Sequence, residues 1–527
     1  MRKLIFVVGF LFTVLPLEAK DLYIAQSAAG AGNGSSCSNA YAYTFFNTSG
    51  NWGTGSSQIG PDTIVHVCGT MTSPITFQGS GTPGHVIELL FEPNAKFSTP
   101  ALSGSYITTG TNSYLLIDGG TNGIIENTAN GTNLGNQVAS NAIRLDNNNN
   151  SSGHDLEVRN LTIQNMYVRV PGSDESIGAR SSNGIVSVGT GSNVYIHNNT
   201  VTYGHTNIGL LSAGNSPTNW DISNNTTANA TWGIEASVGS SPAVVTDIKI
   251  HNNDVNNGPT WYDPSGFFHV DGIFVYGQSS TGYANGVYVY NNYVHGDWGP
   301  SPQPTAWIYI NQNLQNVFVF NNVIQQSGNG SADGLLTLGS GNLSNFVFNN
   351  TFVGYSTTSG GSAMGDVGSN AANSTTIENN VFLNFPSAIN YSHGGTTTLV
   401  AVNYNAYSGI TGAGQCGAWS ASSCTDTLAG WQALGWDLNG IFADLKLSSS
   451  YPYTLQSGSA AIGMAANLYT LCSGKPNPGL GALCYDKTGK ARPSSGKWDA
   501  GAYSYGAASS GSTTTVQPPT GLTATAN

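Results

Sequence analysis

The chain has 527 residues, only 8% of them charged and 39% hydrophobic, with 68 glycines and a net charge of −12. That length suits about two to four ordinary domains or one long repetitive one. An acidic chain without a basic patch argues against nucleic acid as a partner, and 10% aromatic residues argue against a disordered chain. Abundant Gly, Asn, Ser and Thr favour strands and turns over helices.

In chain order, MRKLIFVVGFLFTVLPLEA comes first. Arg2 and Lys3, the apolar run Leu4 to Leu15, and Leu17-Glu18-Ala19 read as a secretory signal over residues 1–19. The expected location is extracellular, with periplasm or cell surface as alternatives. No later apolar run approaches the ~18 residues of a membrane span. Six cysteines in an exported chain suggest disulfides. Nearest-neighbour pairing would join Cys37 to Cys68, Cys416 to Cys424 and Cys472 to Cys484. No cysteine lies between 68 and 416, so the long middle must hold together by packing.

That middle is a repeat. Seven lines share an alternating apolar run ending in Asn-Asn, as in VYIHNNTV, IKIHNNDV and VFVFNNVI. The second Asn falls at 199, 225, 253, 292, 322, 350 and 380, with VRNLTIQN around Asn160 as a weaker earlier copy. A second recurring line is NGIVSV, WGIEAS, DGIFVY, AWIYIN and DGLLTL. A few short strands per unit cannot bury a core alone, whereas stacked units share one. A parallel β-helix solves this, with coils ~4.8 Å apart. Asn at one corner of each coil can adopt left-handed backbone and hydrogen-bond along the stack.

The Asn-Asn corner and the Asp-Gly-Ile strand line resemble the right-handed parallel β-helix proteins of the pectin-lyase-like superfamily, over residues 110–405. The resemblance implies an all-β fold, a single-stranded right-handed parallel β-helix. It implies no one activity, since that superfamily holds lyases, hydrolases, esterases and non-catalytic surface proteins. Residues 20–109 look like N-terminal coils and 110–445 like the β-helix repeats. YTLQSGSAAIGMAANL with Arg492-Pro493 and DAGAY resembles the C-terminal cap of bacterial β-helix proteins, giving a cap over 446–506. Residues 507–527 form a Ser/Thr/Pro-rich linker and tail.

Loop lengths point to a site. From the second Asn of a corner to the Gly, or its counterpart, of the next strand line the separations are 24, 10, 8, 19, 15 and 12 residues, counted from Asn160, Asn199, Asn225, Asn253, Asn292 and Asn322. Long, short, short, long describes a notch. Its floor would be 207–212 and 232–237, and one wall WYDPSGFFHV. Strand parity places Glu235, Phe274 and Tyr309 on the outward face of adjacent coils, with Tyr276 beside them. With Trp232 and Trp261 these rings would line a sugar-binding groove. HVDGI resembles the Asn-Thr-Asp-Gly-Ile strand of polygalacturonases, whose Asp is catalytic, so the resemblance implies a catalytic Asp271. That family's Asp-Asp pair, Gly-His-Gly and Arg-Ile-Lys are absent here. Glycoside hydrolysis needs a second carboxylate, and Asp263, Asp297, Glu235 and Asp333 are candidates. His269 and His295 are candidate bases or orienters.

The reading is a secreted, monomeric protein that acts on a polysaccharide, as a hydrolase more than a lyase. A non-catalytic glycan binder is the alternative. A lyase would need a basic residue, which only Arg159, Arg169 and Arg180 could supply near the notch. No cofactor is expected, although Asp263 or Asp297 could bind Ca²⁺.

Overall fold

A computed structural model describes residues 20–130, 138–147, 152–166, 182–239, 244–258, 269–277, 282–298, 304–328, 334–339, 341–357, 361–367, 374–391, 399–416, 427–433 and 435–507. The proposed signal, 1–19, lies outside them, as do the tail beyond 507 and Cys424. The described residues contain 35 strands, paired in parallel along the stack, and three short α-helices. Each central coil contributes one strand to each of three parallel sheets. In one coil these are Trp232–Val238, Val244–His251 and Asp254–Asn256. The next coil repeats them as Val270–Gly277, Tyr283–Tyr290 and Tyr293–His295. We call these sheets 1, 2 and 3. The fold is a single parallel β-helix.

Identical rows explain why the coils stack. On sheet 1, Ile208 pairs with Ile234, Ile234 with Ile273, and Ile273 with Ile308. On sheet 2, Ile196, Ile222, Ile250, Val289 and Val319 form a second inward row. All of these side chains are buried in one continuous core. Each is worth ~1.5–3 kcal/mol on burial, and none could be covered within its own coil.

The Asn-Asn corner joins sheets 2 and 3. The first Asn of each pair takes left-handed backbone, with φ between 52° and 63° at Asn198, Asn224, Asn252, Asn291, Asn321, Asn349 and Asn379. The second forms a buried ladder. The Nδ2 of Asn253 donates to Asn292 Oδ1 at 3.0 Å and to the Ile222 carbonyl at 2.9 Å. The same pattern runs from Asn199 to Asn405 and ends on Asp437. Asn160 is the left-handed residue of its corner, at φ 59°, so Leu161 occupies the ladder slot. The repeat there is therefore shifted by one residue from the Asn alignment.

The segment after 445 does not simply plug the end. Its Leu455, Leu468, Cys472, Leu483 and Trp498 pack onto Tyr290, Phe320 and Phe348 on the outer face of sheet 2. It also grips the corner: Arg492 Nη2 donates to Asn321 Oδ1 at 2.9 Å, and Asn349 Nδ2 donates to the Asp499 carbonyl at 3.1 Å. Outward aromatics on the later coils of sheet 2 thus have a covering to match. Two disulfides, Cys37–Cys68 and Cys472–Cys484, stand as sequence spacing suggests.

Candidate functional site on sheet 1

Sheet 1 carries the site on its outer face. The outward row runs Gly209, Glu235, Phe274, Tyr309 and Thr337 on successive coils. Ser237, Tyr276 and Asn311 form the neighbouring row. At the start of the strands Trp232 pairs with Asp271. Parity alone brings these residues together, because side chains on one face recur every second residue.

The chemistry centres on three groups. Asp271 is wholly buried, at 0% exposure, and lies 2.5 Å from His269 Nδ1. The His269 side chain is 33% exposed, so it is the member of the pair that meets solvent. Burial disfavours its charged form, but the hydrogen bond and charge of Asp271, with the charge of Glu235, outweigh this and raise its pKa above the ordinary histidine value. Glu235 is buried at 4% exposure. Burial pushes its carboxyl up to about 7 and Asp271 adds to the effect, against the pull of His269 and a hydrogen bond from Tyr276. A carboxyl pushed up to about 7 and an imidazole with a raised pKa therefore act on each other through their charges, and such a proton-holding pair suits general acid–base work.

Aromatic rings frame them. Phe274 stacks on Tyr276 at 4.3 Å and on Tyr309 at 5.3 Å, with interplanar angles of 11° and 14°. The rings form a stack in which Phe274, only 3% exposed, lies between the half-buried Tyr276 and Tyr309. His269 meets Phe274 edge-on at 4.9 Å. Trp232 donates from Nε1 to the His269 carbonyl at 3.0 Å, fixing the start of that strand. Two residues that were not singled out from the sequence complete the floor. His205 packs edge-on against Trp232 at 4.9 Å. A Cβ on Gly209 would stand 3.5 Å from Glu235 Oε2, so glycine keeps that approach to the carboxyl clear. The parity that selects Glu235 also selects Gly209, one coil earlier.

The other candidates are distributed differently. Trp261, Asp263, Asp333, Arg169 and Arg180 lie outside the described residues. His295 belongs to sheet 3, where its Nε2 is 2.8 Å from Asp254 and its ring stacks on Tyr293 at 3.8 Å. Asp297 follows it at an exposed corner, receiving its structure from Asn257. Neither joins the Glu235 group: His295 is carried by a different sheet and Asp297 by the corner after it. Arg159 is on sheet 2, held by Asp118 at 2.6 Å and Glu157 at 2.9 Å, so it does not face the notch. On the outward row of Glu235 the first cation is Arg144, three coils away at ~14 Å, and it is paired with Asp146 at 2.7 Å. Among the described residues no cluster of three His, Cys, Asp or Glu is placed to hold a metal.

No protein-family model matches the chain, and no curated protein matches it. Among solved structures it is similar to the pectate lyase Pel9A, at 13% identity and a TM-score of 0.35, over 92% of this chain and 96% of that one. It is similar to the PL6 family alginate lyase AlyGC, also at 13% identity and a TM-score of 0.35, over 75% of this chain and 52% of that one. A GH136 lacto-N-biosidase from Eubacterium ramulus is similar at 11% identity and a TM-score of 0.30, over 64% of each chain. The pairing of the strands shows a parallel β-helix. At such low identity none of these proteins lends its chemistry to the site, whose groups speak for themselves.

Proposed function

We propose that this chain is a secreted carbohydrate-active enzyme that hydrolyses a neutral polysaccharide on the outer face of sheet 1. The observation that carries the reading is a buried carboxyl, Glu235, titrating at about 7 beside the His269–Asp271 pair. A carboxyl kept protonated in an apolar pocket is suited to general acid catalysis. In this reading Glu235 gives its proton to the glycosidic oxygen as the bond to the anomeric carbon breaks. Water attacks that carbon from the opposite face, and His269 takes the water's proton. Asp271 orients the imidazole and stabilises the charge it acquires, so it acts as a positioning residue. A single displacement inverts the anomeric configuration.

The half-buried rings of Tyr276 and Tyr309, at the two ends of the stack, support a sugar ring as the ligand, since an aromatic ring covers the apolar face of a saccharide. The described titratable groups at the site, two carboxyls and one imidazole, favour a neutral sugar over a uronate. Two disulfides agree with an exported protein. The same rings also support the second reading, a glycan binder without turnover. Glu235→Gln and His269→Ala separate the two. The hydrolase reading expects each variant to lose release of reducing ends while still binding the polysaccharide. Activity retained in both variants sinks it.

A further inference from the structure

A second feature lies on a different face of the solenoid. A cavity of about 460 Å³ opens between the later coils of sheet 3 and the segment that folds back over the stack. Its floor is a row across four coils: Gln325 pairs with Val353, Val353 with Leu383, and Leu383 with Ser408. Three coil steps give a trough ~14 Å long. The opposite wall is the stretch Asp444 to Ser449, with Tyr453 behind it. Leu447 and Tyr453 pack onto Val353 and Leu383 and fix that wall to the coils.

The lining has a defined chemistry. The ring of Tyr355 is 53% exposed at the edge of the cavity, on a chain that hides most of its aromatics. Around it stand amides and hydroxyls, which donate and accept together, as sugar hydroxyls require. Gln325 is held by the Tyr293 hydroxyl at 2.6 Å. The exposed Asn384 side chain stands at a corner with φ 61°, beside Gly409, where a Cβ would come within 2.5 Å of its Oδ1. One carboxylate, Asp444, and one ammonium, Lys446, leave the trough without net charge. The volume falls within the ~300–1,000 Å³ of small-ligand sites.

We infer that this trough is a second saccharide-binding site, which takes a short stretch of neutral glycan chain and holds the polymer while sheet 1 acts. It lies two coils beyond Glu235 and on another sheet, so it cannot share a sugar ring with that site. Its ligand class rests on the proposed function, but its existence does not, and the test separates them. Binding of cello-, xylo- and mannotetraose to the full chain would be measured by calorimetry, for the parent and for Tyr355→Ala, Asn384→Ala and Trp232→Ala. The expected result is that Tyr355→Ala or Asn384→Ala weakens one class of binding by about tenfold or more, some 1.4 kcal/mol, and leaves turnover of a soluble tetrasaccharide unchanged. Loss of that class in Tyr355→Ala but not in Trp232→Ala supports the trough even if sheet 1 proves inactive. Binding that persists unchanged in both trough variants, or no binding of any tetrasaccharide by a normally folded chain, overturns it.

Discussion

Replacing Glu235 by Gln tests the electrostatics of the site without needing a substrate. The carboxyl titrates at 4.5 when unfolded and at about 7 in the folded chain. The folded state therefore holds a proton that the unfolded state has released between these values. Stability from this group is fully present below 4.5 and is lost as pH rises through 7. A displacement from 4.5 to about 7 corresponds to about 3 kcal/mol, and the side chain is too buried for solvent to screen it. Gln keeps the shape and cannot ionise. Guanidinium unfolding of parent and variant at about pH 4 and pH 8.5 gives two differences in stability. Their difference cancels the titrating groups that do not interact with Glu235 and keeps its coupling to His269 and Asp271. We expect Glu235→Gln to gain about 3 kcal/mol on the parent between the two pH values. A double difference near zero would show that Glu235 titrates as an ordinary carboxyl, and the acid role would fall with it.

Other outcomes follow from the same geometry. Activity should follow a narrow bell near neutral pH, falling above about 7 as Glu235 loses its proton and falling on the acid side as His269 gains one; a rate flat from pH 5 to 9 contradicts this. Asp271→Asn should lower the rate by ~10²–10⁴ and move the acid limb to lower pH, because Asp271 raises the histidine pKa; a lost rate with an unmoved limb means the residue is only structural. Asn292→Ala removes the acceptor for both the backbone N–H and the Nδ2 of Asn253 and the donor to Ile250. Asn253 Nδ2 keeps its bond to the Ile222 carbonyl, so two buried groups, the Asn253 N–H and the Ile250 carbonyl, lose these partners; at ~1–3 kcal/mol each the variant should cost about 2–6 kcal/mol in chemical unfolding. The corner residue before it sits at φ 56°, so Asn291→Gly should change stability little. Equal effects at the two positions would remove the ladder from the account. Tyr309→Ala should raise KM for a polysaccharide several-fold with little change in kcat, read from initial rates.

The coil was legible because its signal is covalent to the repeat. Every coil must present the same inward row and the same corner, so Ile234, Ile273 and Ile308 recur at matching places in the sequence. The outward row of sheet 1 follows from the same register, which is why Glu235, Phe274 and Tyr309 fall on one face without a motif to mark them. Distances between different sheets were not legible. His295 reads as a neighbour of the notch because it precedes a long loop, yet it closes a strand of sheet 3 and pairs with Asp254. Arg159 likewise reads as notch wall, although the alternation along its strand turns it outward on sheet 2 beside Asp118. Asp271 was singled out as the acting carboxylate by the likeness of HVDGI. Its burial beneath His269 depends on how the strand start bends, and no local pattern encodes that. The fold-back of the C-terminal segment was equally hidden, although the uncovered Tyr290, Phe320 and Phe348 row was a signal that something must lie on it.

The central claim is that sheet 1 cleaves a neutral glycan by hydrolysis, and product chemistry tests it most directly. The purified chain would be incubated with neutral and acidic polysaccharides, with and without Ca²⁺, while reducing ends and unsaturated-uronate absorbance are followed together. We predict reducing ends from a neutral polymer, no unsaturated product, and loss of the signal in Glu235→Gln. Unsaturated product from an acidic polymer would contradict the claim and replace hydrolysis with β-elimination.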